Sequence, residues 1–360
     1  MTRTRVSGGE PAGTRPVWIV HGLDGLRGLA AIAVVTFHYK TMLGAWYFPS
    51  AYLAVDLFFI ISGIVICLNY EEPLRAGMGT ARFLGRRLIR LAPLYWVALM
   101  LGAAVAAMGA VAGTGNWSWS TLAPVVLVAV FMLPNPFPAP RPDLFPLDPP
   151  CWSLFWELVV NLIYALLLPW LGTRALLAVV GAGALALAVL AQRAGGLDFG
   201  YDWQWPAIPA LRVIVGFSVG VLIAGFARTE RLPLAGTSVW ALLAIAAVLL
   251  AAPASWGWVK DVAIALGCFP VLCAAAMRSS PGHPGICRTL GLISYPLYVL
   301  HAVIPFEKLA AMILHREPQD FSPGIGIAAL AIAMAASWLL GTGIDRPVRA
   351  ILRRNRVARA

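Results

Sequence analysis

The run Leu23-Asp24-Gly25-Leu26-Arg27-Gly28-Leu29-Ala30-Ala31-Ile32-Ala33-Val34-Val35-Thr36-Phe37-His38-Tyr39 has the length and apolar content of a membrane helix, yet it carries an aspartate, an arginine and a histidine. Ionisable groups inside a membrane helix are expensive, so each is a functional candidate by default. Arg27 and His38 stand eleven residues apart, close to three helical turns. They therefore share a face, with His38 about 16 Å deeper into the bilayer. One face carries a permanent cation near the mouth and a titratable imidazole near mid-membrane. The plainer alternative is an interfacial anchor at Arg27 and a satisfied interhelical contact at His38.

The rest of the chain is made of the same material. Of 360 residues, 60% are hydrophobic and 12% charged, and the mean hydropathy is +0.79. Soluble domains are about 25% charged, so this composition defines an integral membrane protein. At about 20 apolar residues per crossing there is room for about ten helices and no appended soluble domain. Lys and Arg number 27 against 16 Asp and Glu, a net charge of +11, and the only lysines are Lys40, Lys260 and Lys308. The basic residues sit in short segments between apolar runs, as the positive-inside rule places them, and not on an exposed basic face, so nucleic acid is excluded as a partner. The five cysteines, Cys67, Cys151, Cys268, Cys273 and Cys287, show neither disulfide nor zinc spacing, and no metal is expected. Residues 1–22 carry Arg3, Arg5 and Arg15 without a signal-peptide core, which predicts an uncleaved cytoplasmic tail.

Apolar runs lie at 24–44, 51–70, 86–110, 121–133, 152–170, 174–192, 207–227, 233–252, 258–277, 288–308 and 322–342. An odd number of crossings would separate two termini that are both basic. The run 121–133 is about 20 Å of helix against a ~30 Å hydrocarbon core, the length of a re-entrant or interfacial piece. Ten crossings remain. With the N-terminus inside, connections 71–85, 172–174, 228–231 and 278–288 are cytoplasmic and every one carries arginine. The opposite connections, 113–120, the Pro-rich 134–150, 195–206 and 253–258, are nearly devoid of it. The expected domains are a tail over 1–22, a membrane domain over 23–345 and a basic cytoplasmic tail over 346–360.

The second helix places Asp56 about a turn and a half inside the outer boundary. The next basic loop runs Arg82-Phe-Leu-Gly-Arg86-Arg87-Leu-Ile-Arg90. Arg87 and Arg90 lie one turn apart on one face of a helix start, where exposed amides also favour anions. Guanidinium groups bind phosphate in bidentate fashion, so this is a good phosphate site; a plain positive-inside anchor is the alternative.

Eight elements taken together resemble one family: Leu23-Asp24-Gly25-Leu26-Arg27-Gly28, His38, Val55-Asp56-Leu57-Phe58-Phe59, Ser62-Gly63, Arg87 to Arg90 with Pro93, Trp152-Ser153-Leu154-Phe155-Trp156-Glu157, Ser294-Tyr295-Pro296-Leu297-Tyr298-Val299-Leu300-His301 and Asp345-Arg346-Pro347. In order and over nearly the whole chain, they follow the pattern of the acyltransferase family 3 membrane proteins. Asp345 departs from the glutamate usual there, which keeps the charge. The resemblance implies an all-α bundle of about ten helices in the cytoplasmic (inner) membrane of a bacterium. It also implies transfer of an acyl group, commonly acetyl, from cytoplasmic acyl-CoA to a hydroxyl of a carbohydrate or glycosylated product. In such proteins the arginine and histidine of the first helix are the essential pair, matching Arg27 and His38, and the Arg-x-x-Arg element matches Arg87 and Arg90. Many members carry an esterase-like extension; this chain resembles the stand-alone ones.

Transfer from a thioester to an alcohol needs a base, a site for the anionic donor and stabilisation of the oxyanion. His38 can be the base, since an imidazole is largely neutral at physiological pH. Arg27 could hold a phosphate or polarise the thioester oxygen. Arg87 and Arg90, with Arg86 beside them, are the candidates for the CoA phosphates. Glu157 is expected at the far side, facing the acceptor's entrance. There it could hydrogen-bond sugar hydroxyls or orient His38, while Trp152 and Trp156 stack on a sugar or belong to the aromatic belt. His301 reads as a structural hydrogen-bonding partner, and Asp56 and Ser62 as packing residues. His21, His283 and His315 have no assigned role. The competing class is a transporter or flippase with Arg27, His38, Asp56 and Glu157 as a buried pathway, but inverted repeats are not visible.

Overall fold

The computed structural model describes residues 2–4, 17–113, 116–229, 236–280 and 282–357. An antiparallel pair, Thr2–Thr4 with Val17–Ile19, precedes the bundle, and part of the expected tail lies outside the described residues. The helices are α1 (His21–His38), α2 (Lys40–Leu43), α3 (Ala54–Arg75), α4 (Thr80–Ala112), α5 (Trp119–Val130), α6 (Trp152–Leu167), α7 (Thr173–Ala194) and α8 (Ala207–Arg228). They continue as α9 (Val239–Leu250), α10 (Gly257–Val262), α11 (Phe269–Ala276), α12 (Pro284–Leu300), α13 (Phe306–Leu314), α14 (Pro323–Leu340) and α15 (Arg346–Val357). π-helical turns at Ala263–Cys268 and Gly341–Asp345 join α10 to α11 and α14 to α15. The expected C-terminal tail therefore begins as a helix continuous with the last span.

Seven helical stretches are long and apolar enough to cross a membrane: Ala51–Arg75, Thr80–Ala112, Pro149–Leu167, Thr173–Ala194, Ala207–Arg228, Ala254–Ala276 and Pro323–Leu352. Three of the expected ten crossings fall on α1, with its charged residues, on α12 with 17 residues and on α9 with 12. The ends of α9 are tied to other segments, since Gly236 N–H donates to Arg278 O just before it and Ser50 N–H to Leu250 O at its end. The short run expected not to cross is α5, whose 12 residues start on a Ser118/Thr121 capping box and make about 18 Å of helix.

Helices meet most closely where glycine removes the side chain. A Cβ at Gly63 of α3 would run into the Phe217 carbonyl of α8, and one at Gly220 into the Ile60 carbonyl. α1 and α12 are in comparable contact, with Gly28 lying on Leu290 and Gly291 on Asp24. Without a hydrophobic drive between helices in lipid, such close approach supplies the van der Waals contact that holds the bundle.

The Pro-rich connection 134–150 does not stay on the surface along its whole length. From Leu144 onward it turns inward: Leu144, Phe145, Leu147 and Cys151 are buried, and Tyr298 OH donates to Pro150 O at 3.0 Å. Asn135 N–H donates to Leu144 O and Leu144 N–H to Tyr201 O, both at 2.7 Å. Prolines 146, 149 and 150 have no N–H to satisfy, so this segment can be buried with few orphan donors. As a result α6 starts inside the bundle.

Candidate active site

A cavity of about 130 Å³ lies among α1, α3, α4, α6 and α12, and Arg27, Arg87, Arg90 and Glu157 all line it. Each arginine faces a carboxylate, Arg27 one on its own helix and Arg87 and Arg90 ones on other elements. Arg27 Nη2 donates to Asp24 Oδ1 at 2.6 Å and to Gly291 O at 3.5 Å. Arg87 donates to Glu157, whose Oε1 also accepts from Ser62 Oγ at 2.8 Å. Arg90 lies over the Tyr295 ring, 5.3 Å from its centroid, with Nη1 4.0 Å from Asp345 Oδ2. Asp345 is itself paired with Arg349, and Tyr295 OH donates to Leu91 O beside Arg90.

These pairs leave donors unused. Arg27 Nε, Arg87 Nε and Arg90 Nη1 are buried without a hydrogen-bond partner. A buried donor left unmade is costly, and charged acceptor oxygens relieve it best.

Several expected placements are corrected. Arg87 and Arg90 do not sit at a helix start: α4 begins at Thr80, about 10 Å of helix before Arg87. Backbone amides at 87–90 are engaged within the helix, so only the guanidinium groups remain for an anion. Arg86 is exposed and does not line the cavity, because one residue along a helix turns it away from Arg87. Glu157 is not at the far side facing an entrance. The inward fold of the preceding connection brings it to Arg87 and Ser62, which both donate to its Oε1. Ser62, read as a packing residue, is part of the cavity wall.

His38 stands apart from the arginines. It is the last residue of α1, exposed, and not in the middle of a span, because the helix breaks at Tyr39 (φ −95°, ψ 16°). Its ring faces that of His301, with centroids 4.9 Å apart. His301 is 1% exposed, and its Nδ1 lies 2.8 Å from Tyr298 O and 3.2 Å from Leu297 O. The Tyr298 ring is 6.1 Å from that of His301 and 5.4 Å from that of Phe58. Tyr298 and Phe58 both line the arginine cavity. The rings of Tyr298 and Phe58 thus stand between the imidazole pair and the arginine cavity.

Arg212 escaped the sequence reading. It is 2% exposed in α8 and clamps Asp56, itself 3% exposed, through Nε at 3.0 Å and Nη2 at 2.7 Å. Its other donors go to Leu197 O, Phe199 O and Tyr52 O at 2.8–2.9 Å. A lone arginine within an apolar run was the available signal. Among the described residues no group of His, Cys, Asp and Glu is placed to hold a metal ion.

The bundle of apolar helices, with a cavity lined by three arginines and a glutamate, is that of a membrane protein, and the chain belongs to the acyltransferase 3 family. That family's acyltransferase-domain profile matches residues 20–342, so the chain is an acyltransferase and not the competing transporter. It is similar to protein 2 in the picA locus of Rhizobium radiobacter, 40% identical over 152 residues that make up 40% of this chain and 79% of that protein. No solved structure matches the chain.

Proposed function

We propose that the protein takes an acyl group, acetyl in the first instance, from acyl-CoA on the cytoplasmic side and places it on a hydroxyl of a carbohydrate or glycosylated product. The observation that carries this reading is a cavity lined by Arg27, Arg87 and Arg90, each with one buried guanidinium donor left without a partner, with an imidazole pair beyond Phe58 and Tyr298. A cavity of about 130 Å³ is smaller than the ~300–1,000 Å³ that takes a whole drug-sized ligand. It holds one end of a long donor: CoA phosphate at Arg27, Arg87 and Arg90, with the pantetheine arm extending toward His38. The helical distance from Arg27 to His38, about 16 Å, is of the order of that arm.

His38 takes the proton of the acceptor hydroxyl as its oxygen attacks the thioester carbonyl. The C–S bond breaks, the ester C–O bond forms, and the proton passes to the departing thiolate. Glu157 holds Arg87 in place for the donor, a positioning role in place of the expected contact with the acceptor. In this arrangement both termini are cytoplasmic in a bacterial inner membrane. Cysteine introduced at Thr173 should then be labelled only after permeabilisation and cysteine at Ser255 from outside; the reverse pattern would invert the topology.

Mass spectrometry of cell-envelope glycans and extracted metabolites tests the reaction. A strain lacking the gene should lose an acyl ester that the parental gene restores. His38→Ala, though inserted and folded, should restore it at a rate lower by ~10²–10⁴-fold. Full restoration by His38→Ala would remove His38 from the chemistry.

A further inference from the structure

We infer that His301 is the positioning partner of His38: its Nε2 accepts the ring N–H of His38 and so leaves the other His38 nitrogen as a lone pair aimed at the acceptor hydroxyl. This rests on the acyl-transfer reading above and assigns a task to a residue that the reaction scheme leaves idle.

The tautomer of His301 follows from its contacts. Nδ1 lies 2.8 Å from Tyr298 O and 3.2 Å from Leu297 O. Carbonyl oxygens only accept, so the ring hydrogen is on Nδ1 and Nε2 is a bare acceptor. That Nε2 is buried and has no hydrogen-bond partner. A helix-end contact explains Nδ1, which satisfies carbonyls in the last turn of α12, but gives no use to Nε2.

The His38 ring stands beside that of His301. Its centroid is 4.9 Å from that of His301 and the planes are tilted by 49°. At this spacing a small rotation of the exposed His38 side chain brings facing nitrogens within hydrogen-bond reach. The two rings are also held in register by the residue next door, since Tyr39 OH donates to the backbone carbonyl of His301 at 3.2 Å. His38 is exposed and His301 buried, so the acceptor meets His38 alone. During transfer the hydroxyl proton goes to the free His38 nitrogen and on to the CoA sulfur. His301 keeps its Nδ1 hydrogen throughout, accepting from His38 without exchanging a proton.

Two substitutions separate this role from a structural one. His301→Asn keeps an amide donor near the Nδ1 position and has no acceptor at the Nε2 position. His301→Gln carries its amide oxygen to about the Nε2 position. Transfer of labelled acetyl from acetyl-CoA to envelope material of a strain lacking the gene is measured with purified protein, together with binding of a non-hydrolysable acetyl-CoA analogue. We expect His301→Asn to lower kcat by ~10²-fold with analogue affinity within twofold, and His301→Gln to stay within about tenfold of the parent. Equal loss in both variants with binding intact would show that the imidazole itself carries the proton, and normal turnover by His301→Asn would leave His301 as a helix cap; either result overturns the assignment. Should His301→Asn fail to fold, a His301→Gln protein that folds and binds the analogue but does not turn over overturns it equally. Absence of transfer by the parent fails the acyl-CoA reading itself, whereas transfer by the parent with the two variants ranked in reverse fails only the role given to His301.

Discussion

Arg212 and the trio Arg27, Arg87 and Arg90 all lie inside an apolar bundle, and all face carboxylates, but they use their donors differently. Arg212 directs Nε, Nη1 and Nη2 to Asp56 and three backbone carbonyls. The trio leaves Nε of Arg27, Nε of Arg87 and Nη1 of Arg90 buried and unbonded around a cavity. Burial and ion pairing are therefore common to both and distinguish nothing. What differs is whether hydrogen-bonding capacity is left over: that of Arg212 is used, and part of the trio's is not.

The comparison breaks most visibly at Arg212. Arg212→Ala strands the Asp56 carboxylate in the bundle, and removal of one partner of a buried pair costs about 3–5 kcal/mol. The expected outcome is loss of folded protein in detergent, read as a collapse of the thermal transition. An Arg212→Ala protein with parental stability would mean that the α3–α8 contact at Gly63 and Gly220 holds without the pair. The smallest effect sharpens the same comparison from the other side. Arg86 belongs to the same basic run but is exposed away from the cavity. Arg86→Gln should change donor KM by less than twofold and stability by no more than about 0.5 kcal/mol. A larger rise in KM would extend the anion site to the surface of α4.

Which of these features can be read from sequence depends on the range of the interaction. The face shared by Arg27 and His38 is set by helical periodicity, and both residues do point toward α12, at Gly291 and His301. The spans follow from runs of apolar residues, and α5 is short because its capping box fixes where it starts. Depth along the bundle is a different matter. Glu157 is carried inward by a connection whose Pro150 carbonyl accepts from Tyr298, over a hundred residues away, as well as from nearby Ser153. Arg87 is deep because α4 begins at Thr80, a few residues before the hydrophobic run that marks it in the sequence. Arg212 stands in a run whose remaining residues are almost all apolar, and its partner Asp56 is 156 residues away. The pairing of His38 with His301 joins the first and the twelfth helices, and periodicity carries no information across that distance.

The central claim is that the three unused guanidinium donors hold the anionic part of an acyl donor, and direct titration tests it. Arg87→Gln/Arg90→Gln removes two charges from the cavity while keeping side-chain length and some hydrogen bonding. A hydrogen bond to a charged group is worth about 1.5–3 kcal/mol, so the purified double variant, folded in detergent at the temperature of the titration, should bind a non-hydrolysable acyl-CoA analogue at least ~10-fold more weakly than the parent. Equal affinity of the double variant and the parent would make these arginines anchors of the helix in its membrane and would contradict the account.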